Sequence, residues 1–165
     1  MKQISTIFLL VMLSACITPY KDPRPPEVQK AELTTVLREL NGEYTVIDSR
    51  NDDRNEYTTL KVIAGDEAMI LRLSGKKDNE LWIGGSNCIG RSKSEEDQFS
   101  MVCNGSSGVN YFYLEKLSSE RKVTDGALIS RFKPMVVESK NYLLSFWSIN
   151  RGRPHHYVLK KKGQD

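Results

Sequence analysis

Histidine is scarce in this sequence: there are two, His155 and His156, and they are adjacent. Neighbours on a strand point to opposite faces, so the pair would not readily share one metal or one substrate. They read as solvated or half-buried side chains. Nucleophile signals are missing too. There is no Gly-x-Ser-x-Gly elbow, and Gly105-Ser106-Ser107-Gly108 has the spacing of a hairpin turn instead. Gly75-Lys76-Lys77 lacks the upstream glycine and the hydroxyl of a phosphate-binding loop. The acidic group Asp48, Asp52, Asp53 and Glu56 lacks the central glycine and closing glutamate of a calcium loop, and Asp and Asn are the expected residues of a tight turn. The chain therefore reads as a non-enzyme, with no catalytic residue, metal or cofactor assigned.

A strong excess of one charge is also missing. The formal net charge is +3, too small to imply nucleic-acid binding from bulk charge. Cations concentrate only near the C-terminus, where Arg151, Arg153, Lys160, Lys161 and Lys162 flank the two histidines. That cluster reads as a solvated strand end or, more sharply, as a contact for anionic lipid or polysaccharide. A membrane-spanning run is lacking as well. The apolar stretch from Ile4 to Ala15 is too short for a helix that needs about 20 apolar residues to cross a bilayer, and Pro19, Lys21 and Asp22 follow it closely. With Lys2 in front, the segment has the layout of a secretory signal peptide.

The four residues Leu13-Ser14-Ala15-Cys16 resemble a bacterial lipobox, in which a leucine stands three before the cysteine and small residues fill the positions between. The resemblance implies that residues 1–15 are removed, that Cys16 receives a diacylglycerol, and that its new amine is acylated. Each buried methylene contributes about 0.8 kcal/mol, so two or more acyl chains hold a domain durably. Ile17 stands where an aspartate would signal inner-membrane retention in the common enterobacterial sorting rule. The resemblance thus implies an outer-membrane lipoprotein facing the periplasm.

Three cysteines are present: Cys16, Cys88 and Cys103. Assigning Cys16 to lipid removes the odd thiol and leaves Cys88 and Cys103 free to pair in an oxidising periplasm. The turn-rich stretch Ser92-Lys93-Ser94-Glu95-Glu96-Asp97 lies between them, so they could face one another across a hairpin. Metal ligation competes with a disulfide, but no Cys-x-x-Cys spacing or nearby histidine accompanies the pair.

Pro19, Pro23, Pro25 and Pro26 make residues 16–30 a lipidated, extended tether that would hold the body off the membrane. Residues 31–165 form a single domain. Leu33, Val36, Leu37 and Leu40 recur at helical spacing, and Asn41-Gly42 stops the helix, so one short helix is expected over 31–40. From there the period becomes two. Strands are expected near 43–49, 56–64, 68–74, 80–84, 98–103, 109–117, 127–132, 141–149 and 155–161, with Gly, Asn, Asp and Ser in the spacers. Short spacers favour antiparallel hairpins, and no helical pattern intervenes to make parallel crossovers. The expected fold is mainly β: an antiparallel up-and-down meander of eight or nine strands, barrel-like or a sandwich, with one short N-terminal helix. The run Leu40-Asn41-Gly42-Glu43-Tyr44 resembles the opening of lipocalin-like barrels, where a short helix precedes a strand beginning Gly-x-aromatic.

Aromatic side chains are the remaining resource. Trp82, Phe112, Tyr113, Tyr142, Phe146 and Trp147 are candidates to line a barrel interior, around a small hydrophobic ligand or as a filled core. Apolar residues on both faces of 142–149 predict that this strand is covered outside, by the 31–40 helix or by a partner. Two binding roles follow. One is a periplasmic domain that holds a small hydrophobic ligand or a protein. The other, by analogy with small disulfide-stapled lipoproteins that block lysozyme, is a periplasmic inhibitor or envelope-assembly partner.

Overall fold

The computed structural model describes residues 22–50, 57–66, 68–76, 78–124, 134–148 and 154–163. Cys16 and the expected signal segment, the expected strand 127–132, and Asp52, Asp53, Glu56, Arg151 and Arg153 lie outside them.

Helix α1 spans Pro26–Leu40, five residues earlier than the apolar spacing predicts. Pro26 stands in the first turn, where its missing N–H costs no hydrogen bond and its fixed φ suits the helix. The proline run therefore ends in a helix start. Residues 22–25 are held against the body as well. Arg24 pairs with Asp22 and Glu32 and donates to the Gly90 carbonyl at 3.1 Å. Gln29 Nε2 reaches back to the Arg24 carbonyl at 2.5 Å. The Arg24 guanidinium, opposed only in part by desolvation, holds the Asp22 carboxyl down to about 2. This clasp persists at neutral pH and is lost only as pH falls toward that value. Residues 22–30 of the expected tether accordingly belong to the folded body.

Ten strands follow among the described residues: β1 Gly42–Arg50, β2 Tyr57–Ala64, β3 Met69–Gly75, β4 Glu80–Lys93, β5 Gln98–Gly105, β6 Val109–Lys116, β7 Arg121–Val123, β8 Met135–Val137, β9 Tyr142–Ser148 and β10 Pro154–Lys161. Eight of them close into an antiparallel barrel in the order β1-β10-β9-β6-β5-β4-β3-β2. Closure through the β1–β10 pairing leaves no open edge and decides for a barrel over a sandwich. β7 and β8 form a separate two-stranded ribbon inserted between β6 and β9.

β4 is longer than its expected 80–84. Gly84-Gly85-Ser86-Asn87 has the composition of a turn, yet the strand continues through a bulge between Ser86 and Ile89, with Asn87 at φ +49°. Asparagine tolerates that left-handed conformation better than most residues. β4 pairs with β3 through its first half and with β5 along its length beyond Gly85. Cys88, at the bulge, is joined to Cys103 of β5 in a disulfide with a Cα–Cα distance of 4.2 Å. The hairpin turn between the two cysteines lies where the sequence places it, at the short 3-10 segment Ser94–Glu96.

The helix closes one end of the barrel. Val36, Leu37 and Leu40 are buried in the same core as Tyr44, Leu71, Phe112 and Tyr142, each contributing about 1.5–3 kcal/mol on burial. Gly90 permits the approach: a Cβ there would lie 2.9 Å from the Leu33 Cα, so any side chain would lift the helix. Below the helix, Lys116 Nζ donates to Asp97 at 2.8 Å and Glu39 at 3.2 Å. Burial pushes the Lys116 ammonium toward losing its proton, but these two carboxylates outweigh it and raise its pKa. Lys161 Nζ donates to the Glu39 carbonyl at 2.5 Å.

A second, smaller core lies outside the barrel wall. Leu117, Met135, Val137, Leu143 and Val158 pack together with Val123 against them. The outer side of β9 is thus covered by the β7–β8 ribbon rather than by the helix or a partner. The ribbon is tied down by Arg121, which pairs with Glu115, a carboxylate 1% exposed that also accepts from Tyr113 OH at 3.1 Å. Burial raises the Glu115 pKa against the opposing pull of Arg121. A raised acid contributes most to stability below its unfolded pKa, and that contribution is lost as pH rises through the folded value. Arg121→Ala should therefore cost about 2 kcal/mol at pH 7.5, toward the low side for stranding a buried charge because Arg121 is partly exposed. The deficit should shrink at pH 4, where Glu115 takes up a proton. Urea midpoints at the two pH values check this; an equal deficit at both would show that Glu115 carries no uncompensated charge.

Candidate functional site

Alternation along each strand divides the aromatic residues between two surfaces. Phe112 and Phe146 face one another across β6 and β9 and both point inward, 0% and 4% exposed. Tyr142 is inside too, edge-on to Tyr44 with ring centroids 4.9 Å apart. Tyr44 OH donates to the Leu40 carbonyl at 2.6 Å, and burial, with Tyr142 beside it, raises its pKa.

Trp82 and Trp147 do not line the interior. Trp82 lies on the outer face of β4, 45% exposed, with the Arg72 guanidinium 5.0 Å above its ring and its Nε1 donating to Glu80 at 3.1 Å. Trp147 stacks on Tyr111 of β6 with centroids 4.6 Å apart. Tyr113 is likewise on the outer side, beside Glu115. The cause is register. Phe146 and Trp147 are sequence neighbours, so only one of them can face inward, and the composition of a strand that is apolar on both sides does not say which.

The inward aromatic set has members that sequence reading missed. His155 stacks on Phe146 at 4.9 Å, Phe146 stacks on Tyr157 at 5.7 Å, and Tyr157 meets Tyr57 edge-on at 6.1 Å. These four rings form a column toward the barrel end opposite α1. The two histidines do take opposite faces, as expected, but both are buried rather than solvated, at 4% and 7%. His156 Nδ1 shares a hydrogen with Ser145 Oγ at 2.7 Å, across the β9–β10 pairing. A serine and an imidazole in contact have the elements of a nucleophile pair. Here both are covered, and the contact is that of cross-strand neighbours within a wall.

Between α1 and the aromatic column the barrel is filled. Leu60, Met69, Leu71, Leu73, Ile83, Met101, Leu114 and Leu159 are each no more than 1% exposed and pack with the rings into one cluster. This is a side-chain core, as in small barrels whose interiors hold no ligand.

No protein-family model, curated protein or solved structure matches this chain. Its chemistry therefore has to be read from its own surfaces.

The outer wall is charged at Glu43, Lys61, Arg72, Glu80, Arg91 and Lys160, with apolar residues inside. That is the arrangement of a barrel surrounded by water, the inverse of a lipid-facing barrel. Exposed apolar side chains depart from it at Ile47 of β1, at the Tyr111–Trp147 stack, and at a group on β2, β3 and β4. Ile63 and Ile70 lie opposite each other on β2 and β3, 40% and 42% exposed, and Trp82 stands two residues along on the adjoining strand from Gly84, the partner of Ile70. Lys61 and Arg72 lie in the next outward row, level with Trp82, and Glu80 lies beyond it. Apolar side chains bordered by charges of both signs have the composition of a protein-contact surface.

Among the described C-terminal cations, two are turned to carboxylate or carbonyl partners. Lys161 turns to Glu39, and Lys162 pairs with Glu43 at 3.5 Å. Among the described residues no three His, Cys, Asp or Glu side chains converge as a metal would require.

Proposed function

We propose that the mature protein is a lipid-anchored, periplasm-facing domain of the outer membrane that binds a partner protein through the outer wall of its barrel, without catalysing a reaction. The lipobox at Leu13-Ser14-Ala15-Cys16 supports the anchor. The observation that carries the choice of a protein partner over a small hydrophobic ligand is the filled interior: Phe112, Phe146 and Tyr142, the interior candidates, are used up in packing against each other and their neighbours. Among the apolar side chains exposed on the outer wall, Ile63, Ile70 and Trp82 lie on three adjoining strands beside charges of both signs. Trp82 is a fitting anchor, because aromatic and arginine side chains carry most of the energy at contact surfaces, and here the two are already stacked.

A photo-reactive amino acid at position 82 or 70, compared with one at Ser107, should trap one discrete partner in intact cells from the first two positions only. Equal capture from all three positions, or capture of abundant envelope proteins alone, would refute the reading. Native mass spectrometry of protein purified from its host should show the mass of the lipidated chain alone. A retained small molecule on the Cys16→Ser form would favour the ligand-carrier role instead.

A further inference from the structure

The chain between the lipidated cysteine and the folded body is very short. Residues 17–21 alone separate Cys16 from Asp22. Asp22 is already pinned: its carboxylate is bound by Arg24 and lies 3.7 Å from Arg91 of β4, and its side chain is 4% exposed. The six residue steps from Cys16 to Asp22 reach at most about 20 Å when fully extended.

The point of departure is at one particular end of the barrel. Arg24 donates to the Gly90 carbonyl, and Gly90 contacts Leu33 of α1. Asp22 therefore sits on the rim that α1 closes. The opposite end carries the 76–79 and 106–108 turns. A barrel with strands of about eight residues, tilted by about 40°, stands about 20 Å tall. The far end is thus separated from the rim by as much as the whole reach of the tether.

We infer that the α1-capped end of the barrel is a membrane-docking face that rests on the lipid headgroup layer, with the opposite end directed into the periplasm. The inference depends on the lipid anchor proposed above. The outward stripe of α1 has suitable chemistry. Glu27, Lys30, Ala31, Thr34 and Arg38 are exposed along one side of the helix, opposite the buried Val36, Leu37 and Leu40. The last four present small or hydroxyl side chains between two cations, and Lys30, Thr34 and Arg38 line an open groove of about 680 Å³ against the turn at Gly65 and Asp66. Cations at an anionic leaflet are drawn to phosphate, and the small residues between them let the helix lie close. The placement leaves the Trp82 wall on the flank of the barrel, open to a protein partner.

The test uses the full lipidated protein, reconstituted in vesicles of phosphatidylethanolamine and phosphatidylglycerol at three to one. A fluorophore is placed through an unnatural amino acid at position 34 or at position 107. Lipid carrying a headgroup nitroxide is then added as quencher. Quenching at position 34 is expected to exceed that at 107 by about threefold or more. Inserting 20 Gly/Ser residues between Thr18 and Pro19 should narrow the contrast, because a flexible chain of about 26 residues spans about 28 Å on average, and any contrast that survives the insertion would support the inference as the face's own affinity for headgroups. Equal quenching at both positions with the native tether, or stronger quenching at 107, would each overturn the inference. The anchor is tested separately by co-flotation, with the vesicles, of unlabelled Cys16→Ser protein from which residues 1–15 have been removed. If that variant floats as the wild type does, the anchor reading fails. If it stays in solution while wild-type protein shows no contrast between positions 34 and 107, only the docking face fails.

Discussion

Trimming Phe112 to alanine is expected to lower the unfolding free energy by about 3–5 kcal/mol, the range for removing a buried aromatic ring from a packed core. Phe112 is fully buried, opposite Cys103 of β5 on one side and Phe146 of β9 on the other. Its position depends on a missing side chain opposite. A Cβ on Gly85 would fall 2.6 Å from Phe112 Cζ and 3.0 Å from the Cys103 Cβ. Neither neighbour can withdraw easily, since the ring is enclosed and Cys103 is held by its disulfide. Gly85→Ala alone should therefore destabilise by about 1–3 kcal/mol through overpacking. In a Phe112→Leu background the same substitution should cost less, because the smaller side chain leaves room. A double-mutant cycle in urea gives the coupling directly, with a value of about 1 kcal/mol or more expected. Strict additivity would mean that ring and glycine do not meet.

Loss of the Cys88–Cys103 bridge is the second large effect. The cysteines are 15 residues apart in sequence, and closing a loop of that length is worth about 3 kcal/mol in the chain-entropy model. The bridge also spans the β4 bulge, where the ladder to β5 is interrupted between Ser86 and Ile89. Without it, the bulged segment loses its cross-link, directly beside Gly90 and the seat of α1. A Cys88→Ala/Cys103→Ala variant and wild-type protein in excess reductant should both unfold at urea concentrations lower by about 1–2 M, for a domain of this size with a slope of about 2 kcal/mol/M. An unchanged midpoint on reduction would show that strand pairing alone holds the bulge. In cells unable to form periplasmic disulfides, the protein should be less abundant, because such a loss multiplies the unfolded fraction exposed to proteases.

The strands were legible to the extent that one face was wet. β2 and β3 alternate cleanly: Leu60, Val62, Leu71 and Leu73 are buried, while Lys61 and Ile70 are exposed. β9 was legible as a strand but not in its orientation. Leu143 is buried under the β7–β8 ribbon and Leu144 inside the barrel, so both faces are apolar for different reasons. For the same reason Trp147 could not be told from Phe146. The bulge in β4 was hidden because Gly-Gly-Ser-Asn is turn chemistry in isolation, and only pairing on both sides keeps it extended. The start of α1 was missed because proline was read as a helix breaker, when at the first turn it is a helix starter.

By itself the sequence determined the local and the covalent features of this protein: an amphipathic helix followed by an antiparallel meander, and the cross-strand cysteine pair. These depend on period, turn residues and spacing, which are properties of neighbours along the chain. Tertiary structure alone decided that the meander closes, that α1 plugs one end, that the ribbon covers β9, and which aromatic rings fill the interior while Trp82 stays outside. Each of these depends on a contact between residues far apart in sequence, as between Gly90 and Leu33 or Gly85 and Phe112. Such contacts are set by barrel closure and register, and a shift of one residue in register would exchange the inner and outer faces of a strand without changing its composition.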